Sequence, residues 1–296
     1  MLLTSIFYQV DSFCKNLDKE LAKRSIESAK KRGPEKQLTL SEAMTIVIYF
    51  HHSSRRTFKD YYLIDIKCYL KEAFPNAPSY NRFVENMKHC LAPLYIFMTY
   101  CRLGTITGIS FIDSTSIKVC HNLRIRSNKV FKSIAARGKT STGWFYGFKL
   151  HLIINENGEI IAFDITPGNC DDRNRKTIDR LTKRLWGKLF GDRGYISATL
   201  FKWLYSKGIT LFTKLKKNMP NVLTDIEDKL MLKKRGVIES VNDILKNQCY
   251  IEHSRHRSPI NFMVNLIAGL VAYSFREKKP SIRSNAHSDN RIGCIA

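Results

Sequence analysis

No pair of cysteines in this chain stands at C-x-x-C spacing, although eight are present, at positions 14, 68, 90, 101, 120, 170, 249 and 294. Without ligand or framework spacing they predict reduced thiols in a cytoplasmic protein rather than a disulfide-stapled secreted fold. Long apolar runs are missing too. The longest, Asn261 to Phe275, is interrupted by Asn265. It falls short of the roughly 20 residues a membrane span needs, which predicts a core helix and no membrane partner. The N-terminus lacks a basic stretch followed by an apolar run and a small-residue cleavage site, so no secretion is expected. Acidic residues are scarce: 26 Asp and Glu stand against 49 Lys and Arg, a formal net charge of +23. Solubility does not need so much charge, and the excess points to a polyanionic partner. Nucleic acid comes before an anionic membrane surface, because the basic residues are spread along the chain and not gathered on one amphipathic segment. What is present, 296 residues with 44% hydrophobic content, suffices for one large core or for a core domain with a smaller helical one.

Strand alternation is absent from the first hundred residues. Apolar positions at three- and four-residue spacing (Ile6, Phe7, Val10, Phe13, Leu17, Leu21) predict a helix, and a basic turn comes next at Lys30–Pro34. Thr39 and Glu42 have the spacing of a capping box ahead of Ala43–Phe50. A further helix is expected over Phe58–Phe74, and after the Pro75–Pro78 turn Ser79 can cap another. Residues 1–103 could thus be a helix-turn-helix-like DNA-binding domain or a plain bundle supporting the next domain, and no residue there can be assigned to a base.

From Gly104 the pattern turns to strands. Ile109–Val119 is the first, and the very basic stretch from His121 to Lys139 reads as a solvated loop. Trp144–Ile154 and Glu159–Thr166, joined through Asn155-Glu156-Asn157-Gly158, predict a β-hairpin. Asp171 or Asp172 can cap a helix running to about Leu185. A short strand, Lys188–Phe190, delivers Asp192; a helix over Ser197–Ser206 and a strand over Ile209–Lys214 come after it, then a polar linker and two closing helices. The expected fold is α/β: a mixed five-stranded sheet flanked by helices over residues 104–276, preceded by the helical region and followed by a polar tail at 277–296.

Asp113 sits alone in the apolar run ISFIDSTSIKV, and a buried charge costs several kcal/mol unless something compensates it. Asp192 at a strand end and Glu239 on a predicted helix over Leu230–Gln248 are its possible partners. At about 100° per residue, Val237, Ile238, Val241, Ile244 and Leu245 share one face of that helix, and Arg235, Glu239 and Lys246 share the other. Three carboxylates suit a pair of Mg²⁺ ions, which take hard oxygen ligands and drive phosphodiester displacement. Each acid also has a plain explanation: a turn or edge residue, a helix cap, and a salt-bridge partner of Arg235 or Lys246. His253 and His256 stand at i, i+3 but lack cysteine partners for zinc. Trp144, Phe145 and Tyr146 either start a core strand or stack on an unpaired base.

In order along the chain, FIDST at Phe111–Thr115, TPGNCDDR at Thr166–Arg173, GDRGY at Gly191–Tyr195, R-x-x-x-E-x-x-x-x-x-x-K from Arg235 to Lys246 and RHRSPINF at Arg255–Phe262 resemble insertion-sequence transposases of the Asp-Asp-Glu type. The likeness is greatest to the group named after insertion sequence 982, and PSYNRF at Pro78–Phe83 extends it into the helical region. The resemblance implies an RNase H-like catalytic fold, with Asp113, Asp192 and Glu239 as the catalytic and metal-binding triad for Mg²⁺ or Mn²⁺, two ions in all. It further implies a DNA contact from Lys246, the element's terminal inverted repeats and target DNA as partners, a homodimer in the synaptic complex, and a prokaryotic, nucleoid-associated setting; Arg235, Arg193, Lys139 and Arg137 are the other residues expected to bind DNA. Asp243 departs from relatives that carry Arg four residues after the Glu. A nuclease of the same fold that does not join strands, and a non-catalytic DNA-binding protein, are the competing functions.

Overall fold

A computed structural model describes residues 2–24, 38–140, 143–214, 225–252 and 256–282. The turn at 30–34, the linker after Lys214, His253, Arg255 and the tail beyond residue 282 lie outside the described residues. The N-terminal part is helical: α1 (Leu2–Arg24), α2 (Leu40–Phe50), α3 (Phe58–Asp60), α4 (Tyr80–Asn86) and α5 (Leu91–Phe97). The capping box forms at α2, where Glu42 N–H donates to the Thr39 hydroxyl and Thr39 N–H donates to the Glu42 carboxylate at 2.7 Å. Ser79 likewise caps α4. The expected helix over Phe58–Phe74 is only partly α-helical, since wider π turns take over from Tyr61 to Tyr69 and turn Tyr61, Tyr62 and Ile66 into the core.

Six strands form one sheet: β1 (Ile109–Cys120), β2 (Ala136–Thr140), β3 (Gly143–Asn155), β4 (Ile160–Pro167), β5 (Gly187–Gly191) and β6 (Ile209–Thr213). The order is β2-β3-β1-β5-β6, with β4 also paired to β3. β3 runs antiparallel to both β1 and β4, while β5 and β6 run parallel to β1. The series β4-β3-β1-β5-β6 is the mixed five-stranded RNase H-like topology. The β3–β4 hairpin closes as its Asn and Gly suggest: Asn155 Oδ1 accepts from the N–H groups of Asn157 and Glu159, and Gly158 turns with φ +72°.

The sixth strand, β2, comes from the basic stretch expected to be loop. Its inward residue is Gly138, where a Cβ would stand 2.1 Å from the carbonyl oxygen of Gly168. The outward residues are the exposed Arg137 and Lys139, so the strand shows no apolar alternation in sequence.

Between β4 and β6 lie α6 (Arg175–Thr182) and α7 (Ala198–Ser206), and the chain then runs through α8 (Ile226–Lys234), α9 (Gly236–Asp243) and α10 (Pro259–Ser274). The cap of α6 is Asn174, which accepts from the N–H groups of Lys176 and Thr177; neither Asp171 nor Asp172 performs that role. Leu230–Gln248 is not one helix: it breaks between α8 and α9 and ends in π turns over Ile244–Gln248.

The period of two along β1 sorts its side chains between two cores. Phe111, Ile117 and Val119 join a large cluster with Phe148, Leu150 and Leu152 of β3, the N-terminal helices, α9 and α10. Ile112 joins a smaller cluster on the opposite face with α6 and α7. α10 is buried on nearly all sides from Val264 to Tyr273, which makes Asn261–Phe275 the core helix expected of it. Among the described residues no helix is long and apolar enough to cross a membrane.

Candidate active site

Asp113 follows Phe111 by two residues on β1, so its side chain leaves the sheet on the face covered by α9. β1 and β5 run parallel with Ile109 opposite Lys188 and Phe111 opposite Phe190. The pairing stops there, and Asp192 follows two residues after Phe190, close enough for its charge to act on Asp113. Asp192 occupies the first position beyond β5 because Gly191 ends the strand; its Oδ1 accepts from Gly194 N–H at 2.8 Å and shapes the turn. α9 packs Val237, Ile238 and Val241 against the same face, and this brings Glu239 to the edge of the site with its side chain 60% exposed.

Electrostatics tie the three acids together. Burial pushes the Asp113 carboxyl up to about 6; the Arg235 guanidinium opposes this, and the charges of Asp192 and Glu239 add to it. Asp113 Oδ2 accepts a 3.1 Å hydrogen bond from Asn242 Nδ2. Glu239 accepts from Arg235 Nη2 at 2.6 Å, one helical turn away. Lys246, expected beside these two on one helix face, is instead half-buried and 3.6 Å from Glu252, whose other oxygen accepts from Lys118 N–H. The π turns after Asp243 shift the helical phase and turn Lys246 inward, and burial pulls its ammonium below the usual lysine value.

The chemistry of these donors suits a hard divalent cation. Asp113 is a largely buried carboxylate, its charge is resisted by two other carboxylates, and beside it the Asn242 Oδ1 atom is buried without a hydrogen-bond partner. Among the described residues, however, no three Asp, Glu, His or Cys side chains stand together as a preformed metal cage. Glu239 is turned onto Arg235 in this conformation.

A second polar group on the opposite face of the same strands is built on Asp172, a residue that the sequence offers only as a helix cap or an alternative ligand. Asp172 Oδ1 accepts from Ser114 Oγ at 2.8 Å and from Lys149 Nζ at 3.0 Å, and it stands 4.0 Å from the fully buried His151 ring. His151 meets Thr166 through Nε2 at 2.9 Å. Tyr195 is buried above this group, and burial holds its hydroxyl well above the usual tyrosine value. Asp171 instead pairs with Arg173 at the surface, and its carboxyl is drawn down to about 2 by those hydrogen bonds.

Alongside runs an open groove of about 470 Å³, lined by Arg137, Lys139, Trp144, Asp172, Arg173 and Gly194. Gly194 belongs to the turn that carries Asp192. Phe145 and Tyr146 pack in the core, whereas Trp144 is 51% exposed with Arg137 4.8 Å and Lys139 5.7 Å from its ring centre. Arg193 is exposed next to Asp192. The structure therefore places Asp113 within electrostatic reach of Asp192, Glu239 and Arg235, without drawing three acids into one cluster, and sets Arg137 and Lys139 on the groove wall.

The family model described as "Transposase DDE domain" matches residues 103–259. Solved structures similar to the chain include two transposase complexes. One is the cryo-EM structure of the piggyBac transposase synaptic complex with hairpin DNA, at 12% identity and TM-score 0.44, covering 91% of this chain and 72% of that one. The other is the crystal structure of the Mos1 strand transfer complex, at 12% identity and TM-score 0.24, covering 90% and 87%. None of the curated proteins matches the chain in sequence.

Proposed function

Because the chain belongs to the transposase DDE domain family and is a DNA transposase, we propose that Asp113, Asp192 and Glu239 are the carboxylates with which it cuts the ends of an insertion sequence and joins them to target DNA. The observation that carries this assignment is that the charges of Asp192, just beyond the strand paired with β1, and of Glu239, on α9, both act on the buried Asp113 carboxyl. Divalent cations, Mg²⁺ or Mn²⁺ and two in number, supply when bound the Lewis acidity that activates an attacking oxygen and stabilises a leaving one.

The chain's own side chains account for the remaining work. Asp113, Asp192 and Glu239 hold the cations, and for Glu239 this requires exchange of its Arg235 contact. Arg235, once released, is free to meet a phosphate. Lys246 contacts DNA beside the scissile phosphate, with the phosphate replacing Glu252 as its partner. Arg193, Arg137 and Lys139 line the approach and neutralise the DNA backbone. Water attacks at the element end, and the 3′-hydroxyl so released attacks the target strand. Residues 1–103 serve as the helical DNA-binding region, 104–276 as the catalytic domain, and a homodimer brings two ends together. The ordered motifs from FIDST to RHRSPINF favour the insertion sequence 982 group.

Purified protein incubated with labelled element-end duplex and Mg²⁺ should both nick and transfer strands. Asp113→Asn, Asp192→Asn and Glu239→Gln should each lower both activities at least a thousandfold while binding the duplex as the parent does. Unchanged nicking in any of the three would remove that residue from the site, and nicking without transfer would mark a plain nuclease.

A further inference from the structure

Asn242 stands where the packing pattern of α9 calls for an apolar residue. Val237, Ile238, Val241 and Leu245 fill the core around it, and the residue is only 7% exposed. Its Nδ2 is used, donating to Asp113 Oδ2 at 3.1 Å. Its Oδ1 is buried and has no hydrogen-bond partner. A buried acceptor left unmade is costly, a penalty that an aliphatic side chain of similar size avoids. The unmet oxygen belongs to the same planar amide whose nitrogen donates to Asp113, which keeps it within one side chain of that carboxylate. Cations and the waters they carry are what an acceptor oxygen in that position can serve, and amide carbonyls are regular ligands of hard divalent ions.

We propose that Asn242 is a positioning residue of the cation site, setting the Asp113 carboxylate through Nδ2 and offering Oδ1 as a neutral oxygen to the cation or to its bound water. This rests on the carboxylate assignment above. Asn242 lies three residues after Glu239, on the next turn of one helix. The bond to Asp113 therefore also fixes the helix of the third carboxylate against the strand of the first, and cation capture by the two becomes a single event.

The test uses the full chain without DNA and Mn²⁺ alone as the probe, reading the melting temperature as Mn²⁺ is added. Asn242→Leu should melt at or above the parent temperature without metal, because the unmet acceptor is gone. Its half-saturating Mn²⁺ concentration should rise at least tenfold, and the Mn²⁺ needed for half-maximal nicking should rise with it. Asn242→Asp keeps an oxygen and adds charge beside Asp113: it should melt lower without metal and take Mn²⁺ at least as tightly as the parent. Should N242L not fold, N242S decides by the same midpoint. Asp113→Asn is the control and should abolish the response. A parent that does not respond to Mn²⁺, or D113N responding like the parent, overturns the carboxylate assignment and this role with it. A normal control with an N242L or N242S midpoint within twofold of the parent overturns the role of Asn242 alone.

Discussion

Asp113 shows what a single charge costs before its partner arrives. Burial raises its carboxyl from 3.8 to about 6, so the folded chain prefers the protonated form. The stability this group contributes is complete below about 3.8 and is lost as pH rises through about 6. Asp113→Asn, neutral throughout, should be more stable than the parent at pH 8 in the absence of metal, by on the order of 2 kcal/mol. Near pH 4 the difference should close. Urea unfolding at the two pH values measures it, and an unchanged difference would mean that burial is not what perturbs this carboxyl. The position of Asp113 was legible because an acid inside an apolar run is conspicuous. Asn242 was not, since one amide on an apolar helix face looks unremarkable until its partner, 129 residues away in sequence, is known.

At the scale of elements, the strands with β-branched and aromatic residues were readable and β2 was not. β1, β3 and β4 match the expected spans to within about one residue at most ends, because alternation and the Asn-Gly turn survive in the sequence. β2 escaped because its core-facing position is Gly138, which has no side chain to show a period. Asp172 escaped as well, since its partners Ser114 and Lys149 come from two other strands. Asp172→Ala should cost roughly 3 kcal/mol in urea unfolding, because Lys149, with a side chain only 12% exposed, loses its counter-charge. A cost below about 0.5 kcal/mol would place the group among surface pairs of no consequence. In the core helix α10, Gly269→Ala would set a Cβ 2.3 Å from Ile251 Cγ2. A loss of about 1–3 kcal/mol is expected from overpacking, read from the same unfolding curves.

For the whole molecule, the net charge of +23 sets the affinity for DNA more than its address. Replacing Arg137 and Lys139 together by Ala should weaken duplex binding and reduce the slope of log affinity against log salt by about 2, with circular dichroism unchanged. An unaltered slope would place the DNA path elsewhere. The N-terminal helices and α10 share one hydrophobic cluster with the sheet face that carries Asp113. Movement of the helical region would thus be felt beneath β1 and β3.

Composition, hydrophobic period and ordered motifs by themselves determined an α/β protein with a large excess of positive charge, and singled out Asp113, Asp192 and Glu239 as candidate carboxylates. Those properties are local: each rests on residue type and on neighbours within a few positions. Only the tertiary structure decided that Asp192 follows a strand parallel to the one that carries Asp113, that Lys246 turns toward Glu252, that Asp172 reaches into a buried polar group and that Asn242 grips Asp113. Such contacts join side chains far apart in sequence, and they depend on strand register and helical phase, which a slip of one residue or a single π turn resets.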